Sequence, residues 1–162
     1  MSKDIFVRPA RPEDCTTIIG LLGALAAFEG ASGAVTITEQ VICRDGFGDN
    51  RRFEVLLAEV DGRVRGMAIL YQAYSSWQGA PTLVVHDLFV EKEARRSGAG
   101  KALLTAAARL AGERGCCRID VNVLGRNAKA RRFYGALGFS PLSDWMPYRL
   151  DGGRMRRLAE GR

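Results

Sequence analysis

The sequence of 162 residues predicts one α/β domain spanning residues 1–162, with a mixed central sheet of six or seven strands flanked by about four helices. Strand-like and helix-like stretches alternate along the chain. Asp61-Gly62 lies between two apolar stretches and is typical of a tight β-hairpin turn. Residues 82–90 are almost continuously apolar, which indicates a central strand, and they lead through a glycine-rich turn into a helix.

Each element has a local signal. Pro12 and the acids after it are typical of a first helical turn, and Thr38 is a suitable cap for a second helix. In the first helix, the apolar residues at helical spacing are Ile18, Leu21, Leu22, Leu25 and Phe28. The predicted strands are residues 4–8, 53–60, 63–73, 82–90, 118–124 and 146–150. The later helices are residues 98–114, a helix from Asn127 through Leu137, and a short basic helix at the C-terminus.

The composition is ordinary for a soluble globular protein, with 47% apolar and 26% charged residues. No apolar stretch approaches the ~18–20 residues that a membrane span needs. The first fifteen residues are charged and contain no apolar signal core. We therefore expect a cytoplasmic protein with no membrane partner.

The net charge of +6 comes from dispersed basic residues, so we expect no nucleic-acid partner. A protein that binds nucleic acid by charge alone is the weakest alternative. The chain has one histidine and no C-x-x-C pair, so we expect no metal site. The four cysteines are expected to be small, mostly buried apolar residues.

The glycine-rich turn reads Arg95-x-x-Gly98-x-Gly100 and precedes a helix. Glycines let a ligand approach the backbone, and the N–H groups of a helix N-terminus attract anions. Ala102 stands where a P-loop has its hydroxyl, and Leu103 where a dinucleotide loop has its third glycine. The turn therefore predicts a different phosphate-binding loop, and the alternative is an ordinary strand-to-helix turn.

A second motif, N-x-x-A-x-x-F-Y-x-x-L-G-F, begins at Asn127. Asn127 is a suitable helix cap, and Phe133 and Leu137 are spaced to face the core. Tyr134 is their neighbour, with its hydroxyl directed elsewhere. The alternative for Tyr134 is a core aromatic residue that hydrogen-bonds locally.

These two motifs, in this order, resemble the hallmarks of the GNAT acetyltransferases. Other segments resemble the diamine acetyltransferase branch, with its spermidine/spermine N-acetyltransferase-like and thialysine-acetylating members. They are IFVRPARPEDC, TEQVICRDGFGDNRRFEVLLAEVDG, YSSWQG, HDLFV and YRLDGGRMRRLA. The resemblance implies a GNAT-like fold, a homodimer, and acetyl transfer from acetyl-CoA to the primary amine of a diamine, polyamine or lysine-like amino acid.

The resemblance also implies roles for individual residues. Tyr134 matches the general acid that protonates the departing thiolate. The residues that match the acetyl-CoA site are Leu88, Phe89, Val90, Arg95, Arg96, Ser97, Gly98, Ala99, Gly100, Lys101, Asn127 and Ala130. The residues assigned to the amine site are Glu29, Trp77, His86, Asp87 and Asn122.

Two positions depart from the pattern of that branch. His86 replaces an acid, and Ser75 stands where mammalian members carry an aspartate. A charge-assisted contact is worth roughly 1.5–3 kcal/mol, so the loss of two acids favours a shorter amine over a long polyamine. His86 is either a general base or a strand residue that packs or hydrogen-bonds. These departures also leave open a non-catalytic, regulatory module that binds acetyl-CoA.

Overall fold

The computed structural model describes residues 4–161, so both ends of the predicted domain lie outside the described residues. Two compact units are present, one ending at Asn122 and the other beginning at Val123. In the described part of the chain, no helix is long and apolar enough to cross a bilayer.

The first unit contains a five-stranded mixed sheet in the order β1-β2-β3-β4-β5. The strands are β1 Ile5–Pro9, β2 Glu54–Val60, β3 Arg63–Ser75, β4 Ala80–Val90 and β5 Ile119–Val121. The pairs β1–β2, β2–β3 and β3–β4 are antiparallel, and the pair β4–β5 is parallel. A mixed sheet was predicted from the sequence, and it is confirmed.

The helices of the first unit are α1 Cys15–Phe28, α2 Glu39–Phe47 and α3 Ala99–Glu113, with 3-10 turns at Pro12–Asp14 and Lys92–Ala94. One face of the sheet packs with α1 and α2 into a core of Cys15, Ile18, Leu21, Ile42, Val55, Leu57, Met67, Ile69 and Phe89. Residues on β3 that alternate with Met67 and Ile69 point to the other face. There α3 packs against the strands and buries Leu103, Leu104 and Ala107. The second unit contains α4 Ala128–Ala136 and α5 Gly152–Ala159.

Local signals in the sequence formed the expected turns and caps. Asp61 and Gly62 both have positive φ, 51° and 75°, as the tight turn between β2 and β3 requires. The Thr38 hydroxyl accepts a hydrogen bond from the Val41 N–H at 3.3 Å and caps α2. Gly115 follows α3 with a φ of 66°.

Residues 4–161 contain five strands, fewer than the six or seven predicted, and five α-helices. Residues 118–124 form only the three-residue strand β5, and the predicted strand 146–150 is irregular among the described residues. A strand needs a partner ladder as well as a strand-like pattern, and the pattern alone does not supply that partner. The apolar residues in this segment and just before it are instead exposed: Leu142, Trp145, Met146, Tyr148 and Leu150.

The cysteines also depart from expectation. Cys15 is buried as expected, but it forms a disulfide with Cys43 that joins α1 to α2. The packing of the two helices brings their Cα atoms to 6.1 Å, within disulfide range, across 28 residues of sequence. Cys116 and Cys117 are free thiols, and Cys117 is exposed rather than buried.

Candidate active site

A β-bulge interrupts β4 at His86. Asp87 lies opposite Ile69 on β3, whereas the next β3 residue, Leu70, lies opposite Val85. His86 is therefore the extra residue in the ladder. Bulges bend a strand and redirect side chains, and they are common beside active sites. The bulge contains two of the residues that the sequence assigned to the amine site, His86 and Asp87.

The parallel partner of β4 ends at this same point. β5 pairs with β4 only from Leu83 to Val85, whose partner is Val121. Beyond the bulge, β4 continues to Val90 without a β5 partner within the described sheet. This stretch, His86 to Val90, therefore presents strand N–H and C=O groups on its β5 side, and such groups bind an extended, amide-containing ligand.

The glycine loop follows β4 and opens α3. Gly98 is the N-cap of α3 and has a φ of 102°, a left-handed conformation that disfavours any residue with a Cβ. The helix begins with Ala99 and Gly100. Lys101 follows them, and its exposed side chain places a cation near the N-terminus of α3. The Ser97 hydroxyl accepts a hydrogen bond from the Ala99 N–H at 3.2 Å, which uses one donor of the first turn.

The loop carries two arginines with different settings. Arg96 is exposed and has a φ of 65°, which makes it one of two non-glycine residues in the described chain with a left-handed backbone. Arg95 turns back to β4, where its Nε–H donates to the Val90 carbonyl oxygen at 3.0 Å. The loop and the exposed edge of β4 are thus in direct contact, as a site for one phosphate-bearing ligand requires.

The bulge also creates an unusual carboxyl group. Burial raises the pKa of Asp87 above its usual range, and the positive charge of His86 partly opposes the rise. His86 itself is exposed, and its ring lies 5.9 Å from the ring of Tyr71. Sequence reasoning missed Tyr71. The available signal was its cross-strand position, since Tyr71 lies opposite Val84 in the β3–β4 ladder.

The second unit holds the other predicted motif. The Asn127 side chain caps α4 by accepting a hydrogen bond from the Ala130 N–H at 3.0 Å, which confirms the predicted cap. The sequence predicted that Phe133 faces the core. In the structure Tyr134 is the buried residue of α4, and Phe133 is only half-buried. Burial raises the pKa of Tyr134 to about 12.

The residues assigned to the amine site are spread over the first unit. Glu29 is the C-cap of α1, and Asn122 is exposed directly after β5. Trp77 lies in the turn between β3 and β4 and is 89% exposed. His86, at the bulge, lies six positions after Ala80, the first residue of β4. Six positions span about 20 Å along a strand. Within one chain, Trp77 is therefore distant from His86.

Comparisons with known proteins show the family of the chain. The family model described as "Acetyltransferase (GNAT) family" matches residues 26–139. Thialysine N-epsilon-acetyltransferase of Mus musculus is 34% identical over 164 residues, which cover 94% of this chain and 96% of that protein. The spermidine/spermine N(1)-acetyltransferase-like protein 1 of Homo sapiens is 32% identical over 93% of this chain and 23% of that protein.

The fold has a counterpart among solved structures. An integron cassette protein from the mobile metagenome of V. cholerae superposes with a TM-score of 0.80 at 23% identity, covering 99% of both chains. The matching family model spans most of the chain, including β4, the glycine loop and the Tyr134 motif. The chain belongs to the GNAT family of acetyltransferases and is an N-acetyltransferase.

Proposed function

We propose that this enzyme transfers the acetyl group of acetyl-CoA to the primary amine of a small molecule, namely a diamine, a polyamine or a lysine-like amino acid, and that it prefers the shorter amines. One observation carries the proposal. The bulged end of β4 presents strand backbone groups beside the glycine loop, with the half-buried Asp87 carboxyl in the same stretch.

Acetyl-CoA fits this arrangement because its parts match the groups present. Its pantetheine amides can pair with the backbone groups of Leu88 and Val90 that face away from β3, as an added strand would, whereas the N–H and C=O of Phe89 face Met67 on β3. The pyrophosphate suits the N-terminus of α3, with Gly98 and Gly100 allowing close approach. Arg95, Arg96 and Lys101 supply positive charge. In the second unit, Asn127 and Ala130 are assigned to the other side of the cosubstrate by resemblance.

The acceptor must lose a proton before it reacts. An alkyl amine with a pKa near 10.4 is neutral in only about one part in a few thousand at pH 7. Asp87 and Glu29 are proposed to orient the ammonium group, and His86 is proposed as the base that takes its proton. His86 and Asp87 are consecutive residues at the bulge and interact electrostatically, which supports placing the base beside a carboxyl group that orients the amine.

The bond changes follow from the thioester chemistry. The neutral amine nitrogen attacks the acetyl carbonyl carbon, a C–N bond forms, and a backbone N–H near Leu88 or Phe89 stabilises the oxyanion. The C–S bond then breaks and the electron pair leaves on sulfur. Tyr134 is proposed to protonate that thiolate, which gives the free CoA thiol. The nitrogen of the new amide still carries one proton too many, and it returns that proton to the Tyr134 phenolate, so the only net proton released is the one that His86 took from the ammonium group. The raised pKa of Tyr134 keeps the phenol protonated at neutral pH, as a general acid requires.

The preference for short amines has two supports. The chain lacks acids at His86 and Ser75, where the polyamine-acetylating pattern has them, so fewer carboxylates can pair with distant ammonium groups. Thialysine, named in the mouse relative, is an amino acid with one side-chain amine, and that relative is similar over nearly its whole length.

The test is release of free CoA thiol by the purified protein near pH 8, with Tyr134→Phe as the control. The amine panel contains lysine, thialysine, putrescine, spermidine and spermine. Turnover with the short amines alone supports the proposal in full. Faster turnover with spermine would contradict the preference, and binding of acetyl-CoA without turnover of any amine would favour a regulatory module.

We further propose a homodimer of a single domain. The length of the chain predicts one domain, and the family resemblance implies the dimer. One family model spans the two units, which supports one domain. Each unit exposes large apolar side chains, Tyr74 and Trp77 in the first and Trp145 and Tyr148 in the second, and their exposure supports self-association. Light scattering on the protein as it elutes from a size-exclusion column measures its molar mass and tests the dimer. The expected cytoplasmic location stays a prediction.

A further inference from the structure

Arg95 is an exposed residue, yet three neighbours contact its guanidinium group. Besides the hydrogen bond from its Nε–H to the Val90 carbonyl oxygen, its guanidinium carbon lies 4.2 Å from the ring centroid of Phe28. The ring centroid of Phe89 is 5.8 Å away. Both distances fall within the range in which an aromatic face attracts a cation. The glycine loop is thereby connected to the ends of both β4 and α1.

Phe28 is placed unlike the other apolar residues of α1. Its spacing predicted a core position, yet its side chain is 53% exposed, whereas Ile18 in the same predicted row is fully buried. The Phe28 ring lies 6.5 Å from the ring of Phe89, tilted by 55°. Because so much of the ring remains in water, its burial contributes little to stability. The contact with Arg95 is the more specific interaction of this side chain.

The contacts of the Arg95 guanidinium group leave its two terminal nitrogens available to an anion. Stacking engages the flat face of the group, and the Nε–H is used by Val90. The edge formed by the two terminal nitrogens is the part that binds phosphate oxygens, often two at once. A side chain that is already held in one conformation loses less entropy when the phosphate binds.

We propose that Phe28 is a positioning residue for acetyl-CoA, whose ring holds the Arg95 guanidinium in the orientation that binds the pyrophosphate. The inference rests on the proposed function, which supplies the identity of that anion. Phe28 is the last residue of α1 and precedes Glu29, whose N–H bonds to the Leu25 carbonyl oxygen at 2.9 Å. The contact between Arg95 and Phe28 therefore also holds the end of α1, which carries the proposed amine-binding carboxylate of Glu29.

The test measures the dissociation constant of acetyl-CoA by titration calorimetry, with no amine present. We expect Phe28→Leu to weaken binding about two- to five-fold, the range that a partly exposed cation–π contact supports. Phe28→Tyr keeps the aromatic face and should bind as the unmodified protein does. Phe6→Leu is the matched control, since Phe6 is 59% exposed on β1, and it should not change the constant.

A double-mutant cycle separates positioning from a general structural role. In an Arg95→Met background, Phe28→Leu should cause no further loss, because the guanidinium that the ring holds is gone. An equal loss in both backgrounds, or an unchanged constant for Phe28→Leu, would overturn the inference. Should Phe28→Leu fail to fold in a thermal scan, Phe28→Met carries the same expectation.

Failure of the proposed function gives a different result. It would appear as no acetyl-CoA binding by the unmodified protein, or as binding with no thiol release for any amine. Failure of the positioning role would appear as acetyl-CoA binding that does not depend on Phe28. Acetyl-CoA titration and the thiol-release assay on the unmodified protein therefore distinguish failure of the proposed function from failure of the positioning role.

Discussion

The ring of Tyr134 meets the ring of Phe139 edge to face, with centroids 5.4 Å apart and planes inclined by 70°. Phe133 makes a similar contact on the same tyrosine at 5.3 Å. The phenol is thus fixed by aromatic neighbours from its own unit. A rigidly held acid is what a proton transfer of defined geometry requires.

Replacing Tyr134 with Phe keeps these ring contacts and removes only the hydroxyl. We expect kcat for thiol release to fall about 10²- to 10⁴-fold, the contribution typical of a general acid, with little change in acetyl-CoA affinity. Steady-state kinetics and calorimetry measure the two quantities. Tyr148→Phe is the matched control, because Tyr148 is 92% exposed. A kcat within two-fold of the unmodified enzyme would remove Tyr134 from the proton transfer.

Asp87→Asn should stabilise the fold while lowering activity. Because the pKa of Asp87 is raised in the folded state, its stability contribution is lost as pH rises through that pKa, and the ionised group opposes folding at neutral pH. We expect a higher unfolding temperature than the unmodified protein at pH 7, and a smaller difference near pH 3. Scanning calorimetry at both pH values checks this.

Asp14→Asn is the control for that experiment, and it should change the unfolding temperature in the opposite direction. The hydrogen bond from Arg8 lowers the pKa of Asp14, so the ionised carboxylate favours folding above its unfolded pKa. Asp14→Asn should therefore destabilise the protein at neutral pH. A lower unfolding temperature for Asp87→Asn at pH 7 would contradict the assignment of burial as the dominant effect on that carboxyl.

Gly98→Ala tests the left-handed backbone at the start of α3. With a φ of 102°, an added Cβ should cost about 1–2 kcal/mol of unfolding free energy and weaken acetyl-CoA binding. Gly112→Ala in the same helix has open space around the new methyl group and should stabilise by roughly 0.5–1 kcal/mol. Denaturant titration measures both. Equal effects at the two glycines would mean that the loop conformation is unimportant.

The Cys15–Cys43 disulfide should stabilise the protein by closing a loop. For a separation of 28 residues, the chain-entropy estimate is about 3.5 kcal/mol. We expect Cys43→Ser to lower the free energy of unfolding by that order, and a thiol reductant to lower it in the unmodified protein only. Cys117→Ser is the control at an exposed free thiol. Insensitivity of the unmodified protein to reductant would show that the bond does not contribute.

The sequence predicted best those features that depend on a few adjacent residues. The Asp61-Gly62 turn and the Thr38 and Asn127 caps each follow from the chemistry of one or two side chains, and all three are present. The glycine loop was predicted on the same basis. Its conformation, with Gly98 in the left-handed region, is the one that the motif requires.

Features that depend on distant residues were not predictable in the same way. The pairing of Cys15 with Cys43 and the contact of Arg95 with Phe28 each need helix packing that no local pattern encodes. The strand expected at residues 146–150 failed because its pattern gives no partner. The roles assigned to Glu29, Trp77, His86 and Asn122 remain predictions, since they depend on a bound amine.

The bulge at His86 has a consequence for how this strand could vary. On either side of it, the cross-strand partners are consecutive residues of β3, Ile69 and Leu70. A chain with His86 deleted could therefore keep every pairing from Asp87 to Val90 unchanged, and would lose only the local bend. The strand pairing of the sheet does not depend on this residue, which fits the role proposed for His86 in the chemistry beside it.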